Sequence, residues 1–327
     1  MQAPRAITSP TVTPRAFLRV TQVTLGLTVL NIVSGGAVRL TDSGLGCPDW
    51  PSCSKHHFTP PLALHPVLEF GNRMVVVALC VAAGLALVCA VRRAPRRGDL
   101  VMLSAGLIGG IVGEAVLGGI VVYSKLNPYA VMTHFMVGIA LLTVACALVL
   151  RAGRAPGRGI AKVAPRELWM SRIAWGLLLL AVMAGTATTA AGPHAGGAGA
   201  KRLPVPLADM ARTHSGVVLM LGAVVLGLLY LLERGGAPLS VRTRGRAMLA
   251  AMAAQGIVGY TQYFSHLPAL LVGVHVFGAT VCWSVMYWFA DGLWFHAPEA
   301  VPLGAGSAPR LASSELSVEP AKAVVPG

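Results

Sequence analysis

The stretch LVMLSAGLIGGIVGEAVLGGIVV, residues 100–122, carries one charge, Glu114, in an otherwise apolar run. It exceeds the roughly 20 residues that a helix needs to cross the hydrocarbon of a bilayer. It lacks the period-two alternation of a membrane barrel strand. Lipid offers no partner for backbone N–H and C=O groups, and a helix satisfies them internally. Seven further apolar segments of comparable length can be drawn outward from it, at residues 20–38, 67–91, 129–150, 169–191, 209–232, 247–264 and 268–294. The 327-residue chain is 55% hydrophobic and only 12% charged, whereas a soluble domain carries about 25% charged residues. The pattern predicts an all-α integral membrane protein with eight transmembrane helices.

The net charge of +14 raises the question of a nucleic-acid partner. The basic residues sit in short loops between apolar runs, with no basic patch interleaved with aromatics, so no nucleic acid is expected. Alternating loops divide Lys and Arg into 19 on one side and 7 on the other. Under the positive-inside rule both termini are cytoplasmic, the membrane is the cell membrane, and the bilayer is the partner of the basic loops. Residues 1–19 are polar and basic, lack a signal-peptide pattern, and read as a cytoplasmic segment. Residues 151–168 form a basic cytoplasmic linker. Residues 295–327, rich in Ala, Pro, Ser and Val, read as a disordered tail.

An internal repeat organises the rest. His214 and His275 lie 61 residues apart, and Asn72 and His134 lie 62 apart in the first half. Glu114 precedes His134 by 20 residues, as Gln255 precedes His275. Each of these two spacings runs through a Gly-rich helix and then a proline turn, Asn127-Pro128 or Leu267-Pro268. Gly35-Gly36-Ala37-Val38-Arg39 has a weaker counterpart in Gly185-Thr186-Ala187-Thr188. Two tandem four-helix bundles are expected, residues 20–150 and 169–294. With four helices each, the halves share one orientation, and their pseudo-twofold axis runs along the membrane normal. Cofactors in such bundles sit between facing helices.

Nine histidines are present, and only His134, His214 and His275 fall clearly inside apolar segments. Five to eight residues of helix place them roughly 8–12 Å below the outer surface. A lone intramembrane histidine is most simply a hydrogen-bonded one. Two at matched depth, echoed by a repeat, point instead to axial ligation of a heme iron by His214 and His275. Zinc is the lesser alternative, since no carboxylate or thiolate stands near either histidine in sequence. In the first half His134 pairs with Asn72, whose amide is a poor iron ligand. His134 alone would hold a heme there, unless His65 swung in. Glu69 shares a helix face with Asn72 and is either a functional carboxylate or an interfacial one. Arg73 either anchors a heme propionate or reaches headgroups. Cys47 and Cys53, in an outer loop, form a structural disulfide or a redox-active dithiol. Cys80, Cys89, Cys146 and Cys282 read as packing residues.

The loop Gly35-Gly36-Ala37-Val38-Arg39-Leu40-Thr41-Asp42-Ser43-Gly44-Leu45-Gly46-Cys47-Pro48-Asp49-Trp50-Pro51 resembles the signature loop of the heme A synthase family. Glu69-Phe70-Gly71-Asn72-Arg73, Gly192-Pro193-His194-Ala195-Gly196 and the two later histidines follow in the family's order, so the resemblance runs from about residue 17 to 290. It implies an eight-helix oxidoreductase that converts the ring D methyl of heme O to a formyl group by successive hydroxylations. It also implies a heme b held by His214 and His275 that supplies electrons. Substrate heme would be received by His134 and Arg73, with Glu69 and Asn72 at the catalytic centre. Expected partners are heme O, heme O synthase, a membrane electron donor and a second copy of the chain. The family pattern commonly reads Glu-x-x-His-Arg in the second helix, and here Asn72 replaces the histidine. The outer loop of the second half has no cysteine. Two rival readings are a bis-histidine, quinol-linked electron-transfer cytochrome and a heme carrier or transporter.

Overall fold

A computed structural model describes residues 11–157, 159–197 and 199–296. Its helices are α1 (Pro14–Leu40), α2 (Leu64–Arg92), α3 (Gly98–Tyr123), α4 (Pro128–Ala152), α5 (Pro165–Ala191), α6 (Leu207–Arg234), α7 (Leu239–Phe264) and α8 (Ala269–Gly292). All eight expected segments are helical, and the starts are set locally. Thr13 caps α1 by accepting from the Ala16 N–H at 3.2 Å, and Asn127 caps α4 by accepting from the Tyr129 N–H at 3.0 Å. Pro14, Pro128 and Pro165 open their helices, where a missing N–H costs nothing.

By length and composition seven of the helices can cross a membrane, and α7 is not among them. All eight expected helices are present, and seven of them meet this measure. Helix α7 begins eight residues before the expected 247, carries three arginines near its start, and mixes Gln255, Tyr260, Gln262 and Tyr263 into the apolar remainder. Arg242 and Arg246 both donate to the Glu233 carboxylate near the end of α6, at 2.7 and 2.6 Å. Arg244 donates to the Trp288 carbonyl of α8 at 2.7 Å. The three arginines at the start of α7 are thus engaged by neighbouring helices. The chain is a multi-pass helical membrane protein.

Helix α2 shows the packing rule. It buries Leu79, Ala82, Ala83, Ala86 and Ala90 while exposing Val77, Val81, Leu85 and Val88. Small residues inward and branched ones outward suit lipid, where close helix approach replaces the hydrophobic effect as the driving force. Gly110 serves the same end on α3, since a Cβ there would lie 2.5 Å from Leu141 Cδ2 of α4. Helices α1–α4 pack on one another, as do α5–α8, and the two groups meet chiefly through α1 and α4 against α8. The largest buried cluster runs from Ile32, Ile139 and Leu142 to Leu178, Leu221, Leu228, Met248, Trp283 and Met286.

Two further differences concern the connecting segments. Part of the expected linker forms β1 (Gly159–Ala161), which pairs antiparallel with β2 (Trp294–His296). The expected boundary between bundle and tail therefore falls inside a strand. The Lys162 N–H donates to the Leu293 carbonyl at 2.8 Å, and Arg154 joins Asp291 and His296. At the other end α1 takes in residues 14–19 of the expected N-terminal segment. Most of the expected tail, residues 297–327, and residues 1–10 lie outside the described residues.

Candidate functional site

His214 is the eighth residue of α6 and His275 the seventh of α8. Their ring centroids lie 6.2 Å apart in an edge-on, T-shaped arrangement with planes at 80°. The Nδ1 of His214 lies 2.9 Å from the Ala181 carbonyl. A carbonyl only accepts, so Nδ1 carries the proton and Nε2 keeps its lone pair. The Nδ1 of His275 is buried with no hydrogen-bond partner. Each ring rests against a glycine: a Cβ would lie 3.2 Å from His214 Cε1 at Gly185 and 3.1 Å from His275 Cε1 at Gly259. A Cβ at either position would ask its imidazole to give way by a few tenths of an ångström.

Both histidines line a cavity of about 430 Å³, closed on the N-terminal side by Gly36 and Arg39 of α1 and by Val131 and Phe135 of α4. Arg39 donates through Nε to the His194 carbonyl at 2.8 Å and through Nη2 to the Thr189 carbonyl at 3.1 Å. His194 in turn donates through Nε2 to the Leu267 carbonyl at 2.8 Å. The Gly192–Gly196 motif is therefore a clasp joining the halves above the cavity. Among the described residues no cluster of three or more His, Cys, Asp or Glu forms a metal site. Two histidines alone do not make the three- or four-ligand set of a zinc site.

The N-terminal counterpart is built differently. His134 is the seventh residue of α4, the same register as His275 in α8. Its Nδ1 lies 3.4 Å from Oε2 of Glu114 on α3. Asn72, the ninth residue of α2, accepts from the Ser34 hydroxyl of α1 at 2.7 Å. Among the described residues no hydrogen bond joins Asn72 to His134. His65 is exposed at the start of α2, with Nδ1 3.0 Å from the Ser43 hydroxyl.

Glu69 and Arg73 are drawn into the outer loop. Cys47 and Cys53 form a disulfide, and both are buried. One Glu69 oxygen accepts from the Cys47 N–H at 2.8 Å and the other from Arg73 Nη2 at 2.6 Å. Arg73 Nη1 donates to the carbonyls of Asp49, Pro51 and Ser52 at 2.9, 3.0 and 2.7 Å. Tyr123 donates to the Trp50 carbonyl at 3.1 Å, and the Trp50 ring lies against Gly119 of α3. At Gly46 any Cβ would meet the His65 backbone at 2.5 Å, so the loop lies directly on the start of α2. One ion pair thus latches the disulfide loop over the ends of α2 and α3. Sequence reasoning placed Glu69 and Arg73 at the site but missed Glu114, Ser34, Gly185 and Gly259. A charged residue inside an apolar run was the available signal for Glu114.

A family model described as cytochrome oxidase assembly protein, COX15-CtaA, matches residues 19–67 and 63–198, more than half of the chain. The chain belongs to that family. The match takes in Cys47, Cys53, Glu69, Asn72, Arg73 and His134, while His214 and His275 lie beyond it. Among curated relatives, the chain is 29% identical over 139 residues to "Heme A synthase" of Geobacillus kaustophilus (strain HTA426), covering 40% of this chain and 43% of the relative. It is 30% identical over 153 residues to "Heme A synthase" of Shewanella oneidensis, covering 40% and 44%. A third, from Geobacillus thermodenitrificans, is 28% identical over 148 residues, covering 42% and 46%. The chain thus spans less than half the length of each of these relatives.

Proposed function

We propose that the chain oxidises the ring D methyl of heme O to a formyl group, making heme A, at a site in its N-terminal half. In this reading His214 and His275 hold a resident heme b. The observation that carries it is the spacing of the two imidazoles. With a metal–imidazole bond of about 2.0 Å and roughly 1.1 Å from nitrogen to ring centre, two imidazoles that both held one metal ion would have centroids up to about 6 Å apart. The observed 6.2 Å fits a single iron between them. The glycines behind each ring, the unpartnered His275 Nδ1 and the cavity of about 430 Å³ support the same reading. Cofactor sites run from about 300 to 1,000 Å³. Bound there, heme b supplies one-electron transfer.

The chain's own residues then divide the work. The Ala181 carbonyl fixes the His214 tautomer that offers Nε2 to iron. Arg39 and Arg212 bring positive charge to the cavity lining for a porphyrin's carboxylates. In the N-terminal half His134 holds the substrate heme, and Asn72 leaves the opposite face without a strong ligand. Glu69 and Arg73 keep the disulfide loop seated at the outer ends of α2 and α3. His134 and Phe135 are neighbours on α4, with Phe135 lining the C-terminal cavity, so one helix separates the two sites and gives electrons a short route. With O2 as the oxidant, the change from methyl to formyl would consume two O2 together with four electrons and four protons from the membrane donor, and would release three water molecules. It proceeds by two hydroxylations to a gem-diol that loses water.

The same reading takes α1–α4 and α5–α8 as two bundles related by a pseudo-twofold axis along the membrane normal. Both termini are cytoplasmic in the cell membrane, as the 19-to-7 division of basic residues favours. Heme O synthase, a membrane electron donor and a second copy of the chain are the proposed partners. The test is mass analysis of hemes extracted from cells that co-express the chain with a source of heme O. Hydroxymethyl or formyl heme above the empty-vector control is expected. Its absence, with redox-active heme b still bound, would leave an electron-transfer cytochrome instead.

A further inference from the structure

Glu114 is the seventeenth of 26 residues in α3 and is buried at 7% exposure. Its Oε2 has no hydrogen-bond partner, and neither has the Nδ1 of His134, 3.4 Å away. A carboxyl group placed inside an apolar helix is costly, and such groups are retained for function. Space has been made for it: a Cβ at Gly138 of α4 would lie 3.3 Å from its other oxygen. The C-terminal half answers the same spacing with Gln255. That amide donates to the His275 backbone carbonyl at 2.7 Å and leaves the His275 ring unpartnered. One half backs its histidine with a carboxyl group, and the other does not.

We propose that Glu114 is the positioning residue of the N-terminal site. Its carboxyl oxygen accepts the Nδ1–H of His134, fixing the tautomer that presents Nε2 to the iron of the substrate heme and strengthening that nitrogen as a donor. The inference rests on the reading of His134 as the substrate-heme ligand. Metal-bound histidines commonly hand their second N–H to a carboxylate or carbonyl, which sets ring orientation and raises ligand basicity. His214 uses the Ala181 carbonyl for this, and His134 has Glu114 within reach. Such bonds are often long before the ligand arrives and tighten when it does, so a small ring rotation closes 3.4 Å. The consequence is a more electron-rich iron in the N-terminal site than an imidazole without that carboxyl would give. That is the site where oxidation is proposed.

The experiment uses the purified full chain, loaded with hemin, in wild-type, Glu114→Ala, Glu114→Gln and His134→Ala forms. The ferrous iron–histidine stretch is read by resonance Raman, because five-coordinate heme alone shows it clearly. Hemin affinity is read by titration. The low-spin C-terminal heme serves as the fold control in each variant. Glu114→Ala should weaken hemin binding at the N-terminal site about 10- to 100-fold and lower the stretching frequency. Glu114→Gln, of the same shape, should fall between and carries the test where the alanine variant folds poorly. Wild-type affinity and frequency in both Glu114 variants, with His134→Ala abolishing the signal, would overturn the proposal and leave the His134 reading intact. A signal that survives His134→Ala would overturn both.

Discussion

The two histidine sites begin from one plan. His134 and His275 occupy the seventh position of α4 and α8, and Asn72 and His214 the ninth and eighth of α2 and α6. What differs is the chemistry around that frame. The C-terminal ring centroids lie 6.2 Å apart with a glycine behind each ring. The N-terminal site has one histidine, a buried carboxyl group and an amide turned toward Ser34. It also lies beside the disulfide loop, which has no cysteine-bearing counterpart in the second half. In the proposed reading, the C-terminal half would grip a group from both sides and the N-terminal half would leave one side free. The difference teaches that helix register can be matched between two sites while single side chains, His214 against Asn72, change the chemistry offered there.

The largest expected effect comes from erasing the difference. Asn72→His should convert the N-terminal heme from high-spin to low-spin, seen as a second bis-imidazole signal in the visible and paramagnetic resonance spectra. An unchanged high-spin signal would mean that position 72 does not face the iron. Next come Gly185→Val and Gly259→Val, which crowd the C-terminal imidazoles. Overpacking of about 1–3 kcal/mol corresponds to roughly 5- to 150-fold weaker heme retention there. Heme titration should show the loss at that site and none at His134.

Removing the disulfide by paired Cys47→Ser and Cys53→Ser changes should cost about 2 kcal/mol for so short a loop. Limited proteolysis should then cut the outer loop faster, while the C-terminal low-spin band keeps its thermal midpoint. A midpoint shift in that band would show that the loop supports both halves. The smallest effect is expected from Ser34→Ala, which removes one hydrogen bond to Asn72 worth about 1 kcal/mol. It should appear as a slightly lower thermal midpoint for hemin release from the N-terminal site alone.

Hydropathy marked all eight helices because lipid imposes one local rule on every segment. At the start of α7, Arg242 and Arg246 pair with Glu233 of α6 across a short turn. The histidine pair was legible because its spacing of 61 residues is echoed within one residue by the 62 from Asn72 to His134. The backing of each ring was not, since it depends on contacts such as Gly185 with His214 and Glu114 with His134 that join different helices. Glu69 and Arg73 were legible as important, but their partners are loop carbonyls and an N–H 21 to 24 residues away. Their four-residue helical spacing allows the ion pair that the structure shows, and only the folded loop explains it.

The asymmetry of the two sites is tested most directly by paramagnetic resonance of the ferric, hemin-loaded chain beside its His275→Ala and His134→Ala variants. The account predicts one low-spin signal that His275→Ala removes and one high-spin signal that His134→Ala removes. A single class of signal that neither variant alters would contradict it.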